Sequence, residues 1–212
     1  MNFKRKGIML VIASPSGAGK TSITRNLLKS DNNLTMSISL TTRKMRKGEI
    51  DGKDYHFKTI DEFNEMREKD ELLEWAKVHD NYYATPKAQV DEMIKNGKDV
   101  VFDIDYQGTQ QLYEQRRADM VSVFILPPSI SELAARLKGR ALDSEDVIAR
   151  RLKNAKIEID HWAEYDFVLI NDKLEEAIDE VKVILKATRL ARVRQLELSS
   201  FVKDLQSQID RL

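Results

Sequence analysis

Four short, mostly apolar runs recur along the chain, and longer stretches between them repeat apolar positions every three to four residues. The runs cover residues 8–13, 100–104, 121–126 and 167–170. A short continuous apolar run is typical of a strand buried on both faces, whereas the intervening period is typical of helices. The alternation predicts an α/β fold with a central parallel sheet flanked by helices.

In a sheet of this kind the carboxyl ends of the strands meet at one edge, and ligands bind there. We therefore expect the loops after Ala13, Ile104, Leu126 and Ile170 to converge on the functional site. A helix over residues 22–29 is predicted to follow the first of these loops.

Two segments depart from this alternation. Residues 35–78 combine short strand patterns, a charged turn region and a helix near residues 61–68, which predicts a lobe inserted into the core. Residues 81–86 are interpreted as a loop whose final proline suits the first turn of a helix ending near Gly97. We expect a single domain with its core at about residues 1–34, 86–135 and 163–212, the lobe at about 35–85 and a helical lid at about 136–162.

Residues 173–212 contain neither glycine nor proline, and apolar positions recur through them at helical spacing. The first half of this segment is expected to cover the sheet. The second half carries a nearly heptad-like apolar stripe from Leu198 to Leu212, which exceeds the need of one domain. We expect this C-terminal helix to pair with a second copy of the chain, forming a homodimer.

Composition narrows the classes of function. The chain has 212 residues, 42% of them hydrophobic, so it can bury a core of its own. Its 35 basic residues balance 35 acidic ones, and no global field favours nucleic acid or an anionic membrane as a partner. The absence of cysteine excludes disulfides, thiolate metal sites and a cysteine nucleophile. Apolar runs are far shorter than the ~20 residues of a membrane span and no signal-peptide core is visible, so we expect a cytoplasmic protein.

The first apolar run leads into Ser-Pro-Ser-Gly-Ala-Gly-Lys-Thr at residues 14–21. A strand, a glycine-bearing turn and a helix in this order direct several backbone N–H groups into one concavity, where the helix dipole adds positive potential. Lys20 can reach the terminal phosphates of a nucleotide, and the Thr21 hydroxyl can bind Mg²⁺. An ordinary glycine-serine loop is the alternative. The predicted ATP-binding residues of the loop are Ser16, Gly17, Ala18, Gly19, Lys20, Thr21 and Ser22.

One position departs from the usual phosphate-loop pattern. The motif normally begins with glycine, and this chain has Ser14 there. Because Pro15 follows, residue 14 is restricted to extended backbone, where serine carries no left-handed penalty. We expect the serine to be tolerated.

Residues 37–57 concentrate hydroxyl groups with Arg43, Arg46 and Tyr55. Arginine binds phosphate through a planar fork, and hydroxyl groups complete such a site. The segment predicts a second anion site, and a solvated basic turn is the alternative.

Glu74 stands between bulky apolar residues in a run at 72–78 that is predicted to be a strand. Burial of an unpaired carboxylate is costly, so Glu74 meets a cation, faces water or accepts hydrogen bonds from a ligand. A guanine edge offers two adjacent N–H donors to such a carboxylate. The residues alone leave these alternatives open.

Two carboxylates, Asp103 and Asp105, stand at the end of the second apolar run. Asp103 is predicted to lie within the strand, and a period of two places both side chains on one side. In phosphate-loop enzymes an acid at this place holds Mg²⁺ directly or through water. We expect Asp103 and Thr21 to serve the metal, while capping of the next helix is an alternative for Asp105.

A helix predicted to begin with a capping box at Ser129 and Glu132 is followed by several arginines. These are Arg136, Arg140, Arg150 and Arg151. Short interrupted helices bearing arginines are typical of a lid that closes over a polyphosphate. A charged helical hairpin with surface ion pairs is the alternative. The three histidines are scattered, so neither a zinc site nor a Ser-His-Asp triad is expected.

Taken in order, six motifs resemble those of the guanylate kinases, and the resemblance extends to about residue 190. They are the phosphate loop, the run from Ser39 to Phe57, Glu74-Trp75-Ala76, Asn81-Tyr82-Tyr83, Asp103-Ile104-Asp105 with Gly108, and the arginine-bearing lid. The resemblance implies a phosphate-loop nucleotide kinase with an inserted GMP-binding lobe and a helical lid.

The resemblance also implies a role for each matching residue. Lys20, Arg43, Arg140 and Arg151 would be the catalytic residues. Arg136 and Arg140 would close with Arg151 on the ATP phosphates, and Asn171 would lie near adenine. The GMP phosphate would be held by Arg43, Arg46, Tyr55 and Tyr83, with a further contact from Glu49, and guanine would be read by Ser39, Glu74, Thr85 and Asp105. This chain has Ala84-Thr85 where a Gly-Ser pair is common, and threonine keeps the hydroxyl.

The expected reaction is MgATP + GMP giving ADP + GDP in purine nucleotide metabolism, with dGMP as a second acceptor. One alternative is a phosphate-loop kinase for another acceptor such as AMP. Another is a guanylate-kinase-like module that binds protein partners without turnover. A GTPase is not expected, because the chain contains no Asn-Lys-x-Asp or Thr-Lys-x-Asp motif.

Overall fold

The computed structural model describes residues 3–78, 80–139 and 145–211. In chain order its elements are β1 (Met9–Ala13), α1 (Lys20–Ser30), β2 (Leu34–Met36), β3 (Leu40–Thr41), β4 (His56–Phe57), α2 (Ile60–Glu68), β5 (Leu72–Val78), β6 (Asn81–Pro86), α3 (Lys87–Lys95), β7 (Asp99–Phe102), α4 (Tyr106–Arg116), β8 (Met120–Leu126), α5 (Ile130–Lys138), α6 (Glu145–Asp160), β9 (Phe167–Ile170), α7 (Leu174–Leu190) and α8 (Leu198–Ile209). Short 3₁₀ helices at Arg117–Asp119, Trp162–Glu164 and Arg192–Arg194 join some of them.

A parallel sheet with the strand order β2-β7-β1-β8-β9 forms the centre of the molecule. This confirms the predicted fold class and the four strands. The sequence did not predict β2, because a strand of three residues with one buried position leaves no periodic signal. The second predicted strand, at residues 100–104, extends past the end of β7. Since β7 ends at Phe102, the prediction that Asp103 lies inside the strand is wrong.

The two faces of β1 pack against different helices, as the alternation of side chains along a strand requires. Leu10 and Ile12 belong to a buried cluster shared with α1 and α7, whereas Met9 and Val11 belong to one shared with α3 and α4. Full burial of each such side chain contributes about 1.5–3 kcal/mol. The core thus holds β1 rigidly on both faces, and the loop that follows β1 starts from a fixed point.

The inserted lobe has its own sheet, with the strand order β4-β3-β6-β5, covered by α2 through the buried Phe63. The prediction of a loop at residues 81–86 is wrong: β6 pairs antiparallel with both β3 and β5. Tyr82, Tyr83 and Thr85 favour a pleated strand, and this preference prevailed over the turn signal of Asn81. Pro86 ends the strand and occupies the N-cap position of α3, outside its first turn.

Helices α5 and α6 pack on each other through a separate apolar cluster that contains Leu133, Leu137, Ile148 and Ala155. Ser129 caps α5 by accepting a hydrogen bond from the Glu132 amide. The predicted capping box is incomplete, because the Glu132 carboxylate accepts from Arg136 Nε at 2.8 Å. Residues 140–144 lie outside the described part of the chain.

Helix α7 covers the sheet, as the first half of the C-terminal segment predicts, and buries residues such as Ile178 and Val181. Helix α8 is different: none of its residues is buried, although Phe201 contacts Phe3 with ring centroids 5.1 Å apart. In the described ranges, no helix combines the length and apolarity that crossing a membrane requires.

Candidate active site

The loop between β1 and α1 has the backbone of a phosphate cradle. Gly17 and Gly19 have φ values of 96° and 107°, a region that favours glycine, and Gly19 is the N-cap residue of α1. Among the described non-glycine residues, only Asp70 and Asp80 have positive φ. Ser14 therefore has no left-handed strain, as the sequence predicted.

Asn171, directly after β9, fastens this loop from the neighbouring strand end. Its Nδ2 donates to the Ala18 carbonyl at 2.7 Å, and a Cβ added to Gly19 would lie 2.2 Å from the same nitrogen. Gly19 is thus required by close packing as well as by its φ value. The Asn171 side chain is buried, and its Oδ1 has no hydrogen-bond partner within the described structure.

Lys20 opens α1 and forms an ion pair with Asp103. Burial lowers the pKa of Lys20 to about 8, and the nearby carboxylates of Glu158 and Asp105 act in the opposite direction by favouring the charged ammonium. The lysine is thus held charged beside the loop by acidic neighbours.

The exposed position of Asp103 suits a metal ligand better than the predicted buried one. Its side chain is 38% exposed and lies one residue beyond β7, while Thr21 is exposed in the first turn of α1. A hydroxyl and a carboxylate are oxygen donors of the kind that Mg²⁺ prefers. No group of three or more potential ligand side chains occurs among the described residues. The donor set therefore fits a Mg²⁺ ion held mainly by nucleotide phosphates and water.

In the lobe, Arg43 and Glu49 form a two-point ion pair with N–O distances of 2.7 and 3.0 Å. The Arg46 amide also donates to Glu49, at 2.6 Å. These hydrogen bonds, first that from Arg43, hold the pKa of Glu49 below its usual range. The pairing favours an ordered site over a solvated basic turn at Arg43, whereas the Arg46 side chain is exposed.

Aromatic rings surround the Arg43 guanidinium. Its central carbon lies 5.5 Å from the Tyr55 ring centroid and 5.8 Å from that of Phe57. Tyr83 lies beside Tyr55, with 5.9 Å between the ring centroids. The structure thus brings together three predicted phosphate-binding residues, Arg43, Tyr55 and Tyr83, and adds Phe57, for which the sequence predicted no role.

Glu74 is buried on β5 with 5% of its surface exposed, which excludes the solvated alternative. Its Oε1 accepts a 2.7 Å hydrogen bond from the Thr85 hydroxyl across the β5–β6 pair. Burial raises the pKa of Glu74 to about 7, and the Thr85 hydrogen bond partly opposes that rise. Thr85 is itself buried, and in this structure its hydroxyl contacts the Glu74 carboxylate from the interior of the lobe.

Two residues of α4 that sequence reasoning missed support Glu74. A Cβ on Gly108 would lie 2.9 Å from Glu74 Oε2, so glycine lets the helix approach without displacing this carboxylate. The Gln111 side chain exchanges hydrogen bonds with the Trp75 backbone, accepting at 3.0 Å and donating at 2.9 Å. Gly108 belongs to the motif that begins at Asp103, but the need for a glycine is visible only when α4 packs on β5.

Asp105 fulfils the capping alternative. It is the N-cap residue of α4, and its Oδ1 accepts from the Gly108 amide at 3.0 Å. The residue is nevertheless exposed and lines the cleft next to Glu74. The cap fixes the direction of this carboxylate, so structural and binding roles are compatible.

Two clefts meet at the turn between β7 and α4. A cleft of about 310 Å³ in the lobe is lined by Ser39, Tyr55, Glu74 and Tyr83, and one of about 150 Å³ by Lys20 and Ser14. Both are also lined by Asp103, Ile104 and Asp105. The phosphate loop, with Lys20, and the part of the lobe that carries Glu74 thus face adjoining spaces.

The predicted lid residues differ in their surroundings in the structure. Arg136 donates to the Asn171 carbonyl at 3.2 Å and so lies beside the strand end that fastens the loop. Arg151 is half-buried on α6, and Arg140 lies outside the described residues. Sequence reasoning missed Glu158, whose Oε2 accepts from the Ser16 amide at 3.1 Å.

Comparisons with known proteins agree with this geometry. The family model described as guanylate kinase matches residues 6–188. Similar proteins include the guanylate kinase of Paramagnetospirillum magneticum, 55% identical over 95% of this chain and 94% of its own, and that of Mesorhizobium japonicum, 56% identical over 95% and 93%. A solved structure of guanylate kinase from Anaplasma phagocytophilum superposes with a TM-score of 0.76, at 35% identity over 95% of this chain and 96% of that one.

The match covers the loop, the lobe and both helices of the lid, and the relatives are similar along nearly their whole length. The chain belongs to the guanylate kinase family.

Proposed function

We propose that the residues placed above carry out the family's reaction in this chain. The protein is an ATP:GMP phosphotransferase, which moves the γ-phosphoryl group of ATP to GMP and yields ADP and GDP. The observation that carries the assignment of sites is the common wall of Asp103, Ile104 and Asp105, which lines both clefts. A donor in one cleft and an acceptor in the other face each other across this wall.

The acceptor phosphate is already an anionic nucleophile, so the reaction needs no general base. The barrier lies in bringing two polyanions together and aligning them. Lys20 lies at the end of the loop, and Arg136 and Arg151 are carried by the lid helices. Together with Arg140, they would neutralise charge on the transferring group. The loop residues Ser16 to Ser22 would hold the donor phosphates with their backbone amides.

Thr21 and Asp103 are the residues that would hold Mg²⁺ brought with ATP. The ion supplies charge neutralisation on the phosphates. Asn171 is proposed to lie near adenine, with its unpartnered Oδ1 available to a donor on the base.

On the acceptor side, Arg43, Arg46, Tyr55 and Tyr83 would hold the GMP phosphate, while Glu49 holds Arg43 in position. Glu74 would accept from the two adjacent N–H groups of guanine, with Ser39 and Asp105 beside it. Adenine lacks those donors at the corresponding positions, so the buried carboxylate selects against AMP. We also propose dGMP as a second acceptor.

We also propose that α8 pairs with a second copy of the chain. Val202, Leu205 and Ile209 recur on this helix at a spacing that shares one face, and all are exposed. Pairing of two such helices would remove this apolar stripe from water. A cytoplasmic location remains a prediction from the sequence.

An ADP-release assay with GMP as acceptor separates an enzyme from a binding module. Lys20→Met should lower kcat by at least about 100-fold, because one charged contact to the transferring group is lost. Lys29→Met removes an exposed lysine from the same helix and should retain wild-type turnover. Absence of GMP-dependent ADP release by the wild type would favour the binding module, and an active Lys20→Met variant would refute the role of the lysine.

A further inference from the structure

Glu158 lies near the end of α6, and its carboxylate occupies one end of the phosphate loop. Its Oε2 accepts from the Ser16 amide at 3.1 Å, and the residue is half-buried. It lines the 150 Å³ cleft together with Ser14 and Lys20. A backbone N–H of a loop built for anions is therefore satisfied by an anion of the protein itself.

Formal charge makes this cleft unfavourable for a polyphosphate. Among the described residues that line it, Asp103, Asp105 and Glu158 are acidic, and Lys20 is the one base. Like charges that line one cleft repel each other, and more strongly where water is partly excluded. The donor nucleotide is most easily admitted if one of the three carboxylates leaves.

The three carboxylates differ in what holds them. Asp103 is paired with Lys20, and Asp105 caps α4, which packs in the core. Glu158 is carried by α6, whose buried residues Ile148 and Ala155 belong to the separate cluster shared with α5. Of the three, Glu158 is therefore the one that can move away together with a unit outside the sheet core.

Arg151 and Glu158 are seven residues apart on α6, which places them on the same face about 10 Å apart along the axis. The buried Ala155 lies between them on that face. One side of the helix thus carries both a cation and an anion. A shift of the helix that withdraws the carboxylate changes the position of the arginine as well.

We propose that Glu158 is an internal anion that occupies the phosphate loop in the nucleotide-free enzyme and is displaced by the polyphosphate of the donor. The proposal rests on the assignment of the loop as the donor site. Its consequence is a coupling: entry of ATP releases α6 from Ser16 and allows α6 to reposition Arg151, while α5 keeps its contact with Asn171 through Arg136.

The test is the affinity for MgADP, measured by titration calorimetry on the full-length protein. Glu158→Gln keeps the size and an acceptor oxygen but removes the competing charge, and the Kd for MgADP should fall about fivefold. The KM for ATP should fall in parallel, with the KM for GMP unchanged. Asp160→Asn makes the same change of net charge at an exposed residue of the same helix and should leave the Kd unaltered.

A second variant distinguishes displacement from a role in shaping the loop. Glu158→Asp keeps the charge but shortens the reach to Ser16, so it should also bind MgADP more tightly than wild type. An unchanged or higher Kd in both variants would overturn the proposal and assign Glu158 to support of the loop. Failure of the donor-site assignment is distinguishable, because the wild type would then bind no MgADP.

Discussion

At the scale of single residues, the feature with the largest chemical consequence is the buried carboxylate of Glu74. A carboxylate with 5% of its surface exposed and no cation among its described partners is costly, and its pKa rises to about 7 because of burial. The hydrogen bond from the Thr85 hydroxyl replaces only part of the hydration that the Glu74 carboxylate loses on burial. Such a site gains most when a ligand supplies the missing donors, as guanine does.

This raised pKa predicts how GMP binding depends on pH. The carboxylate must be ionised to accept two N–H donors, and in the free protein it is half protonated near pH 7. The KM for GMP should therefore fall about tenfold between pH 6 and pH 8, as the ionised fraction rises. The measurement is a series of initial-rate assays at saturating ATP.

Glu74→Gln provides the control, because the phosphate of GMP also titrates near pH 6. In this variant the KM for GMP should be about 100-fold higher, and the part of its pH dependence due to the carboxylate should vanish. Glu71→Gln changes an exposed carboxylate next to the same strand and should behave as wild type. An identical pH profile in wild type and Glu74→Gln would contradict the assignment of Glu74.

At the scale of secondary-structure elements, the site depends on the place where strand ends meet. β1 leads into the phosphate loop, β7 into Asp103 and Asp105, and β9 into Asn171. Asn171 joins three parts of the molecule. Its side chain donates to the Ala18 carbonyl, its backbone amide donates to the Leu126 carbonyl at 2.8 Å, and its own carbonyl accepts from Arg136. The loop is thereby fixed to the sheet edge and to α5.

Asn171→Ala should loosen the loop and raise the KM for ATP about tenfold, because a buried hydrogen bond to Ala18 is lost. The KM for GMP should change little, since the acceptor cleft lies across the wall of Asp103. Asp172→Ala alters the exposed neighbour and serves as the matched control. Equal increases in both Michaelis constants would show general destabilisation and contradict a local role.

Elements with a strong local signal were predictable from sequence, and those defined by partners were not. The four strands that the sequence predicts for the central sheet coincide with short, mostly apolar runs, and the phosphate loop is a contiguous motif. β2 and β6 were missed because their pairing with β7, β3 and β5 stabilises them more than their own pattern suggests. Gly108, Gln111 and Glu158 were missed for the same reason, since their partners lie 34 or more residues away in sequence.

At the scale of the whole molecule, the chain presents two clefts with a common wall on one side and an uncovered helix on another. The clefts account for a reaction between two nucleotides. Helix α8 lies beyond the part matched by the family model and has no buried residue. These two features are independent, because α8 and the clefts have no lining residue in common.

The dimer proposal predicts a charge-sensitive association through α8. Leu205→Lys places a cation in the apolar stripe and should shift the full-length protein from dimer to monomer in sedimentation velocity. Ser207→Lys adds the same charge on the opposite face of the helix and should leave the dimer intact. A wild type that sediments as a monomer at every concentration would contradict the proposal.

The central claim is that one site holds ATP in the loop cleft and GMP in the lobe cleft, aligned across Asp103 to Asp105. Its most direct test offers the wild-type enzyme ATP labelled at the γ-phosphoryl group with equal concentrations of GMP and AMP. The label should appear in GDP, with transfer to AMP at least about 100-fold lower because Glu74 finds no donors on adenine. Equal labelling of AMP, or release of the label as inorganic phosphate in place of GDP, would contradict the account.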